Sequence, residues 1–447
     1  MNSIPSVRVA VVGSGISGLA TAWLLQQRFD VTLFERNDYL GGHSHTVEVQ
    51  SGSSRLAIDT GFMVFNRPNY PLLSALFDHL GVATYPTVMS FSASINGGEL
   101  EYAGTNLDTL FAQRRNVLRP RYWALLREIL RFNREASVSL RELSGGAASL
   151  GDWLDQRQFG ADFRNDYLFP MAAAIWSCPK ARMSAFPARS FLRFFHNHGL
   201  IKLRDRPQWC TLTGGSRAYV AKLRAAFRGR VVTENAVHAV ARDARGVTLT
   251  SRDGETHVFE HVVLACHADE SLALLSDASP DERAVLGAFR FQPNRVWLHR
   301  DPGLMPRRRK VWASWNYLEQ ARDSECSAVT VTYWMNALQA LDTTDNYFVS
   351  LNPPVPPRAD LVEAVMTYEH PVLDAGALRA QLEMGRLQGR ANTWFAGAWT
   401  GYGFHEDGLR SGLEVAHALG GVSPPWDPSA IVASRALVAR DEVLSLA

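Results

Sequence analysis

Cysteine is scarce in this chain and poorly placed for cross-linking. Its four thiols, Cys178, Cys210, Cys266 and Cys326, stand far apart, and none forms a C-x-x-C pair. That spacing offers neither a zinc site nor a redox dithiol, and it fits reduced thiols. Long apolar runs are missing too. No uninterrupted stretch reaches the roughly 18 residues of a membrane-spanning helix. Neither sign of charge is in excess: 46 Lys and Arg stand against 44 Asp and Glu, a net of +2. This gives no electrostatic case for a nucleic-acid partner, and no nucleic-acid-binding motif appears. An apolar run begins already at Arg8, which leaves no room for a signal peptide. The expectation is a soluble, cytoplasmic protein, with peripheral membrane contact left open and oligomeric state unread. At 447 residues the chain is too long for one simple core, so two domains are the default.

What is present begins with the β-branched run Arg8–Val12, then Gly13-Ser14-Gly15-Ile16-Ser17-Gly18, then an apolar helical pattern to Leu25. Strand, G-x-G-x-x-G turn and helix are the order that a dinucleotide site needs. Gly13 permits the tight turn, Gly15 lets the backbone approach a pyrophosphate, and Gly18 lets the helix pack on the strand. The helix N-terminus presents free N–H groups and a positive dipole to the phosphates. A second short strand, Asp30–Phe34, ends at Glu35, where an acid would bond the adenosine ribose hydroxyls. No second G-x-G-x-x-G follows a later strand, so a separate nicotinamide-nucleotide domain is not expected.

Five residues past the acid comes Leu40-Gly41-Gly42-His43. With Ile58-Asp59-Thr60-Gly61 and the C-terminal stretch from Trp394 to Ala418, this pattern resembles the flavin-containing amine oxidase and phytoene desaturase superfamily. The resemblance implies an α/β protein. Its FAD-binding Rossmann-like (three-layer ββα) domain would carry an inserted α+β substrate domain. Gly41 and Gly42 would lie near the FAD phosphates and the flavin. The family usually places Arg after the pair; this chain has His43, with Arg36 as the substitute cation. Thr60, Gly61 and Phe62 match the family's loop over the flavin, and the backbone of Val237 would face the adenine. At the C-terminus a strand ends at Gly397 and a glycine-rich loop enters a helix near Gly408. Glu406, Asp407, Gly408 and Leu409 would sit by the pyrimidine end of the flavin. The acid usual after Gly397 is replaced by Ala398. Arg410 reads equally as a flavin or substrate ligand or as a surface residue.

The expected organisation is a first FAD-binding part (1–66) and a helical substrate or lid domain (67–205). A second FAD part (206–290), a substrate-domain sheet (291–384), a third FAD part (385–425) and a tail (426–447) follow. The aromatic stretches Tyr167–Trp176 and Phe186–Phe195 read as helical core or as the wall of an apolar tunnel. His196 and His198 lack acidic or thiol partners at matching spacing, and no metal is expected. The run Arg307-Arg308-Arg309-Lys310 reads as a solvated loop or as a site for anionic headgroups or an acidic substrate.

A flavin supplies the redox chemistry and the protein supplies position and charge. The acid/base candidates are His299, on a substrate-domain strand, and His405 in the C-terminal loop. Tyr402 is one member of an aromatic pair whose second member is not evident. Those departures from the amine oxidase pattern favour an apolar unsaturated substrate, a fatty acyl or similar lipid chain, with the enzyme acting as desaturase or double-bond isomerase. A flavin amine or amino-acid oxidase and a non-catalytic flavin-binding sensor are the alternatives.

Overall fold

The structure is a computed structural model and describes residues 7–142, 148–320 and 330–437. Cys326, the first two residues of the strand that the alternating pattern Ala328–Trp334 suggests, and the last ten residues lie outside the described residues. Cys178, Cys210 and Cys266 are free thiols.

β1 (Arg8–Val12) is the centre of a five-stranded sheet. β2 (Asp30–Phe34) pairs with one side of it and His261–Leu264 with the other. Arg230–Val232 and Thr393–Phe395 form the edges, and every pairing is parallel. α1 (Ile16–Leu25) is buried along its whole length, because the sheet covers one face and the His405–Gly420 helix crosses the other. That crossing is close: an added methyl at Gly412 would lie 2.5 Å from the Ser17 carbonyl oxygen. Below the sheet, the antiparallel strands Val237–Asp243, Gly246–Ser251 and Thr256–Phe259 close a second core around Phe34, Val247 and Phe259. These are the three ββα layers that the sequence led one to expect.

The antiparallel hairpin β3 (Thr46–Ser51) and β4 (Ser54–Asp59) leaves this domain, and α2 (Pro71–Leu80) follows. α2 starts on proline and stops at Gly81, whose φ of +63° suits glycine at a helix end. The second domain is built on a seven-stranded sheet. In order its strands are Val362–Val372, Arg290–His299, Phe348–Leu351, Thr330–Trp334, Trp315–Leu318, Phe91–Ile95 and Leu100–Ala103.

Three expectations change here. Segment 67–205 is not purely helical, since Phe91–Ile95 and Leu100–Ala103 extend the substrate sheet, the first pairing its backbone edge with Trp315–Leu318 and the second with the first. The alternating pattern Lys310–Asn316 suggests a strand, but Lys310 does not head one; Arg309–Val311 is a single 3-10 turn, and extension begins at Trp315. The stretch after 425 is not all tail. The Ser429–Leu437 helix lies on α2, and Trp426 stacks on Trp23 at 6.2 Å.

The aromatic stretches are mostly core: Trp176, Phe186, Phe191 and Phe195 are buried among one another. Phe194 is the exception, one face of which turns to residues 402–404. No helix among the described residues is long and apolar enough to cross a membrane.

Candidate active site

The three glycines of the first turn have three different surroundings. Gly13 has a φ of +101°, and a methyl there would meet the Ala265 carbonyl oxygen at 2.8 Å. A methyl at Gly18 would fall 1.9 Å from the Gly13 carbonyl oxygen, whereas one at Gly15 would meet nothing within 4 Å. The N-terminus of α1 therefore opens onto free space at Gly15 alone. Ser14 and Ile16–Ser17 are otherwise buried around it.

The buried Glu35 carboxylate braces this turn. One oxygen accepts from the Ser14 N–H and hydroxyl at 3.0 and 2.6 Å, and the other from the Asn37 N–H at 2.9 Å. The oxygen that accepts from Asn37 keeps a lone pair for a ribose hydroxyl. Arg36 does not face the turn as a phosphate cation. Its guanidinium is bonded to Glu270 at 2.5 Å and its side chain is 61% exposed. The second glycine pair closes over the first: the Gly41 N–H donates to the Ser14 carbonyl oxygen at 3.1 Å. A methyl at Gly42 would stand 3.2 Å from the Gly15 Cα. Val237 stands at the start of its strand, where the register slips before Ala239.

The loop after β4 folds against His43. The Phe62 N–H donates to the His43 carbonyl oxygen at 2.7 Å, and a methyl at Gly61 would lie 2.2 Å from that oxygen. Thr60 donates both its N–H and its hydroxyl to the His45 carbonyl oxygen, each at 3.0 Å. The His43 ring lies 5.0 Å from Tyr368 and 5.4 Å from His370, and its buried Nε2 has no hydrogen-bond partner among the described residues. Burial lowers the His43 pKa well below that of free imidazole, and that of His370 to about 4. Both rings are neutral.

The C-terminal helix spans His405–Gly420, so it starts three residues before Gly408. Its first residue joins the cradle. The His405 ring stacks on Phe62 at 3.9 Å, and its Nε2 lies 2.9 Å from Ser44 Oγ. Burial pushes the His405 pKa down to about 3.

The two carboxylates of that first turn point elsewhere. Glu406 accepts from the Leu72 and Leu73 N–H groups, each at 3.0 Å, and so caps α2; burial raises its pKa to about 7. Asp407 accepts from the Tyr402 and Phe404 N–H groups at 3.1 Å and from Arg410 at 2.6 Å. Arg410 is thus an internal partner of this turn, not a surface residue. Gly408 is a packing glycine, 2.9 Å from the Ile16 side chain at its would-be methyl, and Leu409 is fully buried. What this helix end offers a flavin is its backbone N–H groups. Gly397 is extended, with the Trp399 indole against it and its N–H on Ser411 Oγ at 2.9 Å.

Two expected groups, the aromatic Tyr402 and the acid/base candidate His299, fall outside this gathering. Tyr402 faces a recess it shares with Phe194, His198 and Phe404. His299 is fully buried at the far end of its strand, with Nε2 2.8 Å from Ser350 Oγ and Nδ1 accepting the Asp301 N–H at 3.0 Å. Both ring nitrogens are satisfied, and burial holds its pKa near 4.

The residue on that strand that does reach the cradle is Asn294, whose Nδ2 lies 3.3 Å from His370 Nδ1. His299 lies five residues further on, roughly 16 Å at roughly 3.3 Å per residue. Tyr368 and His370 come from the neighbouring strand, which pairs Asn294 with Tyr368. Their only sequence signal was i, i+2 spacing on one face of a strand. His267, Glu270 and Glu369 converge within 4.8 Å of one another, but Glu270 is already bonded to Arg36.

An open Gly15, a free lone pair on Glu35 and an unpartnered imidazole beside Gly61 fit FAD laid from the first turn to the His405 helix. The comparisons agree. The family described as flavin containing amine oxidoreductase matches residues 16–290. A putative flavin-containing monoamine oxidase of Mycobacterium tuberculosis, AofH, is 29% identical over 261 residues, 56% of this chain and 55% of that protein. The chain thus spans about half the length of the curated relatives it matches. A solved fatty acid isomerase from P. acnes superposes with a TM-score of 0.65 at 16% identity, covering 93% of this chain and 99% of that one. A redesigned putrescine oxidase gives 0.66 at 15% identity over the same shares. At those identities the two structures share the fold alone. The chain belongs to the flavin containing amine oxidoreductase family, whose members use FAD.

Proposed function

We propose that this protein is an FAD-dependent oxidoreductase acting on an unsaturated apolar chain, a fatty acyl group or similar lipid, as a desaturase or double-bond isomerase. The observation that carries this reading is the engagement of both carboxylates in the first turn of the His405–Gly420 helix. Glu406 caps α2 and Asp407 holds Arg410. Neither is left to receive a substrate ammonium. The adjoining recess has an aromatic wall of Tyr70, Phe194, Tyr402 and Phe404 with His198, beside Asn69, Asn197 and the already engaged Glu406, Asp407 and Arg410, and the aromatic wall suits an apolar ligand. FAD, when bound, supplies hydride acceptance at its N5.

The chain's own groups do the rest. Glu35 orients the ribose, and the N-terminus of α1 receives the phosphates. The N–H groups at the start of the His405 helix stabilise negative charge on the reduced ring. His405 stays neutral and acts as a positioning residue through Ser44. The buried Phe62 ring, with the half-buried His405 ring stacked on it, excludes water.

The test is anaerobic incubation of the flavin-loaded protein with linoleic acid and, separately, with primary amines. Bleaching of the flavin, or migration of a double bond, with linoleic acid alone supports the reading. Bleaching by amines with peroxide released on admitting air selects an amine oxidase, the activity in the AofH name, and overturns it. A flavin inert to both classes selects a sensor and also overturns it.

A further inference from the structure

One corner of the substrate domain carries apolar side chains out into solvent. Leu118 is 85% exposed and Leu107 75%, and Val117 and Trp123 are each 46% exposed. Single exposed leucines are ordinary on protein surfaces, but a group of them is not. These four belong together. The Trp123 indole N–H donates to the Val117 carbonyl oxygen at 2.9 Å, and its ring lies 5.3 Å from Phe111. Phe111 directly follows the Leu107–Leu110 turn.

The same corner is strongly basic. Arg114, Arg115 and Arg119 flank Val117 and Leu118. The Arg307–Lys310 run docks beside them through Lys310, which pairs with Asp108 at 2.5 Å, and Arg114 bonds the same carboxylate. Arg307 N–H and the Arg308 guanidinium both bond the buried Glu101, each at 2.7 Å, which fixes the run in place. The cations here outnumber the carboxylates Glu99, Glu101 and Asp108 in a chain whose net charge is only +2. Positive charge is therefore concentrated around the exposed apolar tip.

We infer that this corner is a docking surface for an anionic lipid bilayer. Leu107, Val117, Leu118 and Trp123 enter the interface, while Arg114, Arg115, Arg119 and the Arg307–Lys310 run meet the headgroups. The chemistry is complementary on both counts. Trp and Leu partition to the boundary between headgroup and acyl chain, and each Lys or Arg close to an anionic surface adds attraction. A second copy of the chain is a poorer occupant, because a twofold contact would set this basic rim against itself. The inference rests on the surface and not on the identity of the substrate.

Co-sedimentation of the full flavin-loaded protein with vesicles tests it. Phosphatidylcholine mixed with phosphatidylglycerol is compared with phosphatidylcholine alone, at low and high salt. Binding is expected to the mixed vesicles, weakening as salt rises. Leu118→Asp should lower the partition by about tenfold. Each of Arg114→Gln, Arg115→Gln and Arg119→Gln should lower it by about fivefold. Bound flavin is expected unchanged in all four, since none of these residues belongs to the FAD cradle. Equal binding of the parent and Leu118→Asp, or no preference for the anionic vesicles, overturns the inference. So does a concentration-dependent dimer that Leu118→Asp dissolves while vesicle binding is absent.

Discussion

Gly15 and Gly18, one helical turn apart, stand in opposite surroundings: open space lies at the first and the Gly13 carbonyl oxygen, 1.9 Å from a would-be methyl, at the second. The two positions should therefore fail differently. Gly15 already has a φ of −60° as the helix N-cap, so Gly15→Val strains no backbone and should melt within a few degrees of the parent. It should purify colourless, because the valine fills the pyrophosphate space. Gly18→Ala has no such room and should lose stability, by about 1–3 kcal/mol as an overpacked contact. Absorbance in the flavin band and a thermal melt on each variant distinguish the two. A yellow Gly15→Val protein would remove the pyrophosphate from this turn.

His43 occupies the place where the family usually carries arginine. Its Nε2 is buried without a partner among the described residues, beside Gly61 and between Tyr368 and His370. Unsatisfied buried polar atoms cost about 1–3 kcal/mol, so the bound cofactor is the partner expected for it. His43→Ala should raise the dissociation constant of FAD about tenfold, as read by fluorescence titration of the apoprotein. An unchanged constant would show that the imidazole does not face the cofactor.

Glu406 links pH to stability. Burial lifts its pKa in the fold to about 7 from an ordinary 4.5, so the native state binds its proton more tightly than the unfolded chain. This favours folding fully below about pH 4.5 and fades as pH rises to about 7. Asp59, lifted to about 6 from 3.8, acts in the same direction over a lower window. Glu406→Gln puts an NH2 donor where one carboxylate oxygen accepts from Leu72 or Leu73, so it should melt lower than the parent. Its melting temperature should also fall less between pH 5 and pH 8 (assay conditions spanning that window). Parallel curves for parent and variant would mean that Glu406 does not titrate there.

His405 is neutral at any working pH, its pKa being pushed down to about 3. It should therefore leave no ionisation near the ordinary histidine value in the pH profile of flavin reduction. His405→Phe keeps the ring stacked on Phe62 but loses the contact with Ser44 Oγ. The rate of flavin reduction should fall about tenfold, the worth of one hydrogen bond of about 1.4 kcal/mol, with the pH profile unmoved. Stopped-flow reduction across pH checks this. Loss of a titration in the variant would make His405 an acid or base after all.

The first strand, turn, helix and acid were legible because their meaning is local. A G-x-G-x-x-G turn can be read from steric rules spanning six residues, and the ββα layering follows from strand order. Glu35 braces the first turn through Ser14, and Gly61 packs on the His43 carbonyl oxygen, both contacts close to the motif in sequence. The place of His299 was not legible because a strand pattern shows which face a residue takes, not how far along the sheet it lies from the cradle; the pairing of Asn294 with Tyr368 put Asn294, not His299, beside His370.

Glu406 and Asp407 were read as flavin neighbours from their place in the motif. Their carboxylates went instead to the donors brought within 3.1 Å by α2 and by the 402–404 loop. The sequence by itself determined that this chain builds a dinucleotide cradle from its two ends. Only the tertiary structure decided which side chains enter that cradle. A buried polar group goes to the nearest unsatisfied partner, and such partners come from segments that can lie hundreds of residues away.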